Sequence, residues 1–125
     1  MKKDILIVED HKVVRKSLRE WLEGVFPLCD FSEAASGEEA IEICRSITPD
    51  LILMDISLPR LNGIGTTKRI LTMVPAVRVI MLTIHEEKAY RTESLSAGAS
   101  SFIPKRMMKN ELIPTIKELL GLTQE

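Results

Sequence analysis

Apolar positions recur along the chain with two alternating periods. Short runs rich in Ile, Leu and Val ("ILIV" at 5–8, "LILM" within 49–55, "VRVIMLT" at 77–83) are separated by stretches whose apolar residues fall three and four apart. The first kind reads as strand, the second as one-sided helix. After 5–8, Val13, Val14, Leu18, Trp21, Leu22 and Val25 predict a helix over 12–25, stopped by Pro27. A strand near 28–34 follows. Ser36-Gly37-Glu38-Glu39 then opens a helix as a capping box, with Ala40, Ile41, Cys44 and Ile47 as its stripe. "PDLILMD" (49–55) is apolar on successive residues, as expected of a strand covered on both faces. Asn62-Gly63 has hairpin composition, but Ile64, Thr67, Ile70, Leu71 and Val74 behind it are helically spaced, so a helix starts there. The strand over 77–83 leads to a helix over 86–97 whose stripe of Ala89, Tyr90 and Leu95 is thin, ended at Gly98. A short strand over 100–105 and a helix over 109–120, with Leu112, Ile113, Ile116, Leu119 and Leu120, complete the order. Pro114 is tolerable in that helix only within the first turn, and Gly121 marks its end.

Five strands alternating with five helices imply parallel βαβ units, whose right-handed crossovers place helices on both faces of one sheet. The expected fold is a doubly wound α/β domain. With no linker, repeat or low-complexity segment, residues 1–125 are expected to form a single domain, a length sufficient for one core.

Charge narrows the function classes. Seventeen Lys and Arg stand against eighteen Asp and Glu, a formal net charge of −1, so no global field attracts nucleic acid or anionic lipid and any charged site is local. Cys29 and Cys44 lack CxxC spacing and a histidine-rich neighbourhood, which argues against zinc or dithiol chemistry. After "MKKD" only Ile5 to Val8 are continuously apolar, well short of a signal-peptide core, and no run approaches a bilayer span. A soluble, cytoplasmic setting is expected.

Polar residues gather where such sheets carry their sites, beyond the carboxyl ends of the strands. Glu9 and Asp10 follow the first strand, Asp55 ends the third, Thr83 ends the fourth and Lys105 follows the fifth. A single strand-end acid needs no explanation beyond solvation, but three acids, a hydroxyl and an ammonium on one edge do. Carboxylates crowded together stay ionised only beside a compensating cation. All-oxygen ligation with retained waters suits Mg²⁺, so Glu9, Asp10 and Asp55 are expected to form its pocket. A cation, a hydroxyl and an ammonium around a carboxylate suit phosphoryl transfer, with Asp55 as nucleophile and Thr83 and Lys105 sharing the phosphoryl oxygens.

These motifs resemble, in order and spacing, the receiver domain of two-component response regulators, over essentially the whole chain. The acidic pair corresponds to Glu9-Asp10, the phosphoacceptor to Asp55 in "LILMDISLPRLNG", the hydroxyl to Thr83 and the lysine to Lys105. The resemblance implies a flavodoxin-like sheet of order 2-1-3-4-5 and phosphotransfer from a sensor histidine kinase. It also implies a main-chain metal ligand at the Ser57 carbonyl and an aromatic switch residue at Phe102. "EDHKVVRKSL", with His11 and Arg15, and "SAGASSFIPK" are similar to the subfamily with a helix-turn-helix, LuxR-type output domain. No DNA-binding element lies within 1–125, so the likeness leads us to expect a fragment of a longer transcription regulator, contacting DNA only through an output domain outside this chain. Phosphorylation-dependent homodimers are common in the family, and turnover catalysis is not expected. The sequence departs from the family in placing Pro104 before Lys105 and Arg106 after it, where proline usually follows the lysine.

Two rivals fit less well. Phosphohydrolases on related folds carry Asp-x-Asp after the first strand and a cap domain, and a flavin module needs Ser, Thr and Gly where this chain has "EDHKVV". A receiver that has lost phosphorylation and acts as an interaction module is a third reading. His85, two residues past Thr83, is placed to affect water access to the pocket, whereas His11 is assigned no catalytic role.

Overall fold

A computed structural model describes residues 2–122; Met1 and residues 123–125, at the two ends of the expected 1–125 domain, lie outside the described residues. The elements run β1 (Asp4–Val8), α1 (Lys12–Val25), β2 (Asp30–Ala34), α2 (Gly37–Ser46), β3 (Leu51–Asp55), α3 (Gly63–Met73), β4 (Arg78–Thr83), α4 (Lys88–Ser96), β5 (Ser101–Pro104) and α5 (Met108–Leu120), with a 3₁₀ turn at Lys105–Met107. All strand pairs are parallel and the order is β2-β1-β3-β4-β5. The reversal of direction between β1 and β3 is the topological switch point, and it sets the polar strand ends side by side.

Alternation along each strand makes two cores. Leu6, Val8, Ile52, Met54, Val79 and Met81 face α2 and α3, with Phe102 of β5 joining them. Ile5, Ile7, Leu51, Leu53, Ile80 and Leu82 face α1 and α5. β3 is buried along its whole length, as its unbroken apolar run requires. Asp55 therefore ends a strand that cannot shift register without exposing Leu and Ile.

Local chemistry fixes the helix starts. The Ser36 hydroxyl accepts the Glu39 N–H at 3.1 Å, and the Glu39 carboxylate accepts the Ala35 N–H, one residue earlier than in a standard capping box. Asn62 caps α3 by accepting the Gly65 N–H at 3.0 Å. Gly63 is required there, since a Cβ would lie 2.2 Å from the Asp55 carbonyl oxygen. The start of α3 is thus pressed against the backbone of the candidate acceptor.

Four expectations need correction, the first being Ile47, which caps the end of α2 and is 41% exposed instead of belonging to its buried stripe. The buried stripe of α1 is Leu18 and Leu22, continued by Phe26, whereas Val13 is 78% exposed and Val14 and Val25 are also exposed. Their spacing fits a helix, but the sheet covers only the middle of the helix face. Pro114 lies beyond the first turn of α5. The Asn110 carbonyl that the missing Pro114 N–H would have met is on an exposed residue, while Leu112, Ile116 and Leu120 hold the helix down. α4 is shorter than expected and buries only Ser94; Ala89 and Leu95 are exposed and Tyr90 is half-buried. No helix among the described residues is long and apolar enough to cross a membrane.

Candidate functional site: an acidic pocket at the switch point

The ladder itself delivers the first carboxylate. Glu9 prolongs β1 by donating its N–H to the Ala34 carbonyl at 3.1 Å, and its side chain turns inward, only 3% exposed. There Oε1 accepts the Lys105 ammonium at 3.0 Å, while Oε2 accepts the His11 N–H at 3.0 Å and lies 3.0 Å from His11 Nδ1. Burial alone would raise the Glu9 carboxyl; the N–H of His11, the Lys105 ammonium and the His11 ring outweigh it and lower the pKa to about 2. Glu9 is a fixed negative charge.

Asp55 ends β3 in the centre of the sheet, with 6% of its surface exposed. Oδ1 accepts the Ser57 N–H at 3.1 Å, and Oδ2 lies 3.4 Å from Lys105 Nζ. Its carboxyl is pushed up from the ordinary range by burial, which the Lys105 charge offsets only in part because Glu9 adds repulsion. Lys105 bridges the two acids; burial would lower its pKa, but Glu9 and Asp55 raise it. Although Pro104 precedes it, the lysine reaches the pocket, and every peptide bond among the described residues is trans.

Asp10 stands beside this pair with one oxygen unused. Its Oδ1 is buried and has no hydrogen-bond partner; His11 Nδ1 is 3.4 Å away, within ion-pair range but without hydrogen-bond geometry. A buried, orphaned carboxylate oxygen is costly unless something cationic meets it. Glu9 and Asp55 share the Lys105 ammonium, and Asp10 follows Glu9 in the chain with its Oδ1 lacking a hydrogen-bond partner. The donor set is hard oxygen, so the residues present fit Mg²⁺. Ligand atoms of Glu9, Asp10 and His11 also lie within 4.8 Å of one another. The sequence assigned His11 no catalytic role, yet its main chain and ring both hold Glu9, contacts that follow from the tight turn after β1.

Thr83 ends β4 fully buried, and its hydroxyl accepts the His85 N–H at 3.0 Å, leaving the hydroxyl hydrogen free to donate. Ser57 sits in the loop after Asp55, its hydroxyl 2.6 Å from His85 Nε2. Phe102 is already inside the core, 6% exposed, with the Arg91 guanidinium of α4 5.7 Å from its ring centroid. The structure thus joins Glu9, Asp55 and Lys105 directly, sets Asp10 at their edge and Thr83 one strand away. Sequence reasoning named Arg15 only within the family likeness and missed its contacts: it donates to the Glu9 carbonyl at 2.7 Å and to Glu33 at 2.7 Å. Its place on α1 opposite the β2 glutamate becomes visible only once the strand order is known.

A flavodoxin-like sheet bearing a lysine-bridged acidic pocket at its switch point defines a class of phosphoryl-handling α/β domain. Residues 5–117 match the family described as response regulator receiver domain, and the chain belongs to that family. It is similar to the response regulator UvrY of Escherichia coli K12, 33% identical over 116 residues, covering 93% of this chain and 53% of that protein. It is 34% identical over 113 residues to the transcriptional regulatory protein DegU of Brevibacillus brevis, covering 90% of this chain and 48% of that one. The chain thus spans about half the length of these curated relatives. A LuxR-family two-component response regulator from Aurantimonas sp. SI85-9A1 superposes with a TM-score of 0.89 at 33% identity, covering 97% of this chain and 87% of that one. A CheY-like receiver domain from Methanospirillum hungatei JF-1 gives the same TM-score at 30% identity, covering 97% and 95%.

Proposed function

We propose that Asp55 accepts a phosphoryl group from a phosphohistidine of a sensor kinase and that this charge is read by the surface around α4. The observation that supports it most is the orphaned Asp10 oxygen beside the Lys105-bridged carboxylates of Glu9 and Asp55. An Asp55 carboxylate oxygen attacks phosphorus, an O–P bond forms, the N–P bond breaks, and the departing imidazole takes a proton. The Lys105 ammonium, already 3.4 Å from Asp55, and the Thr83 hydroxyl hydrogen stabilise the phosphoryl oxygens. The Glu9, Asp10 and Asp55 carboxylates and the Ser57 carbonyl would hold Mg²⁺. When bound, the ion neutralises the pocket and the incoming phosphoryl charge.

The phosphorylated residue carries about −1.5 to −2 charge, so Lys105 is drawn from Glu9 toward it and the Thr83 hydroxyl turns with it. Phe102 needs no large inward swing, since it is already packed beneath Arg91; its role is to hold α4 in register as Thr83 turns. The chain acts as a cytoplasmic signalling domain, not a turnover enzyme. Its partners are a histidine kinase, a phosphorylation-dependent second copy, and DNA through an output domain of the kind DegU's name implies. Intact-mass measurement with a small acyl phosphate tests the site. One phosphoryl mass appears on the wild type with Mg²⁺ and not with chelator or on Asp55→Asn; equal labelling of Asp55→Asn would overturn the assignment.

A further inference from the structure

A cavity of about 330 Å³ lies between α1, the start of α5 and the sheet. Val13 and Val14, which the sheet leaves uncovered, form part of its wall with Trp21 of α1 and Met108 of α5. The wall is apolar, and the volume suits a small organic molecule. Its inner end is charged, because the lining passes on to Glu9, Asp55 and Lys105. There two buried carboxylates share one ammonium, with Lys105 Nζ 3.0 Å from Glu9 and 3.4 Å from Asp55, which leaves a negative charge uncompensated. Asp55 feels the deficit: burial pushes its carboxyl up, and Lys105 offsets this only in part because Glu9 repels it.

We propose that this cavity binds a small hydrophobic amine, its apolar body between α1 and α5 and its ammonium turned to the carboxylates of Glu9 and Asp55. The charge at the inner end selects the head group. A neutral apolar molecule gains the walls alone, and a fatty anion meets two carboxylates whose single ammonium is already held between them. An ammonium brings three donors and the missing positive charge. The amine then stands where a divalent cation and a phosphoryl donor must approach, so its binding opposes phosphorylation. That consequence rests on Asp55 being the phosphoacceptor; the binding does not.

Trp21 is the single tryptophan of the chain and part of the cavity wall, so its emission reports occupancy. With n-octylammonium as probe and no divalent cation, the emission of the full chain is expected to shift and saturate. Octanol and octanoate keep the body and change the head; both are expected to bind roughly tenfold more weakly, the scale of one charge-assisted hydrogen bond. Ethylammonium keeps the head without the body and gives no shift. Ser17→Phe fills the cavity from an exposed position on α1 and abolishes the response, with cooperative thermal unfolding showing that the variant is folded. Val14→Lys, at another exposed position of the wall, weakens octylammonium and not octanol. Emission that fails to saturate, octanol or octanoate binding as tightly as the amine, or undiminished binding by folded Ser17→Phe or by Val14→Lys would overturn the site. With phosphoramidate and Mg²⁺, octylammonium slows the gain of phosphoryl mass by the wild type and leaves the rate in Ser17→Phe indifferent to the amine; equal slowing of both would overturn the inhibitory role. A wild type that takes up no phosphoryl group even without amine overturns the phosphoacceptor reading instead, and Trp21 emission still decides the cavity.

Discussion

Asp55 and Glu9 are the same chemistry in neighbouring places, yet burial and partners drive them apart. Glu9, with N–H and ammonium donors on both oxygens, contributes stability above the unfolded carboxyl range that is lost as pH falls toward its folded value of about 2. Asp55 has the opposite sign. Its folded carboxyl is raised above the unfolded value, so the fold is favoured below the unfolded value and loses stability as pH rises through the raised one. Asp55→Asn is therefore expected to raise Tm at neutral pH, by roughly 3–5 °C if about 1 kcal/mol of charge repulsion is relieved. That advantage vanishes below the ordinary carboxylate range, and Mg²⁺ narrows it by binding the wild type. Scanning calorimetry across pH checks this; a lower Tm for Asp55→Asn at pH 7 would contradict it. The strand-end carboxylates were legible from chain order alone. Their division of labour was not, because it depends on burial, which raises Asp55, and on the His11 N–H and Lys105 ammonium, which outweigh burial at Glu9.

Elements place these residues through a few close approaches. Gly63 lets α3 start against the Asp55 carbonyl, and its N–H donates to the Ile56 carbonyl at 2.9 Å. Gly63→Ala forces a backbone shift at the acceptor, expected to cost about 1–3 kcal/mol and to slow phosphorylation of Asp55, read by urea unfolding and by mass. Unchanged stability and labelling would remove Gly63 from the account. On the other side, Arg15 of α1 ties the Glu9 carbonyl to Glu33 of β2 with two bonds, and its side chain is only 13% exposed. Arg15→Ala frees the turn that carries Glu9 and Asp10. The expected loss is about 1–2 kcal/mol of stability together with weaker Mg²⁺ uptake by calorimetry. Unaltered Mg²⁺ affinity would confine Arg15 to a structural role. Asn62-Gly63 shows how far sequence reasoning reaches: periodicity told helix from hairpin, but not that the glycine guards the acceptor backbone. The valines of α1 mark its limit, since helical spacing does not show where the sheet surface ends.

For the whole molecule, two apolar layers hold a rigid five-stranded sheet, and the working groups sit on its carboxyl edge where α4 is the element held least. The fold class was readable because unbroken apolar runs alternating with helical stretches have few arrangements besides a doubly wound parallel sheet, whereas the strand order came only through the resemblance to a known family. The Ser57–His85 contact was not readable, because it joins two loops whose approach the strand order alone does not specify. A charge placed on Asp55 thus arises between a rigid core and a loosely anchored helix, the arrangement a signalling domain requires.

The most direct test of the proposal that Asp55 carries the phosphoryl group, in a pocket that needs a divalent cation, reads the modified residue itself. Borohydride reduction of the protein after exposure to a small acyl phosphate, followed by peptide mapping, converts a phosphorylated aspartate to homoserine and so reports the modified position directly. Homoserine is expected at position 55, formed with Mg²⁺ and abolished by chelation. Homoserine at Asp10 or any other carboxylate, or labelling at position 55 indifferent to the cation, would contradict it.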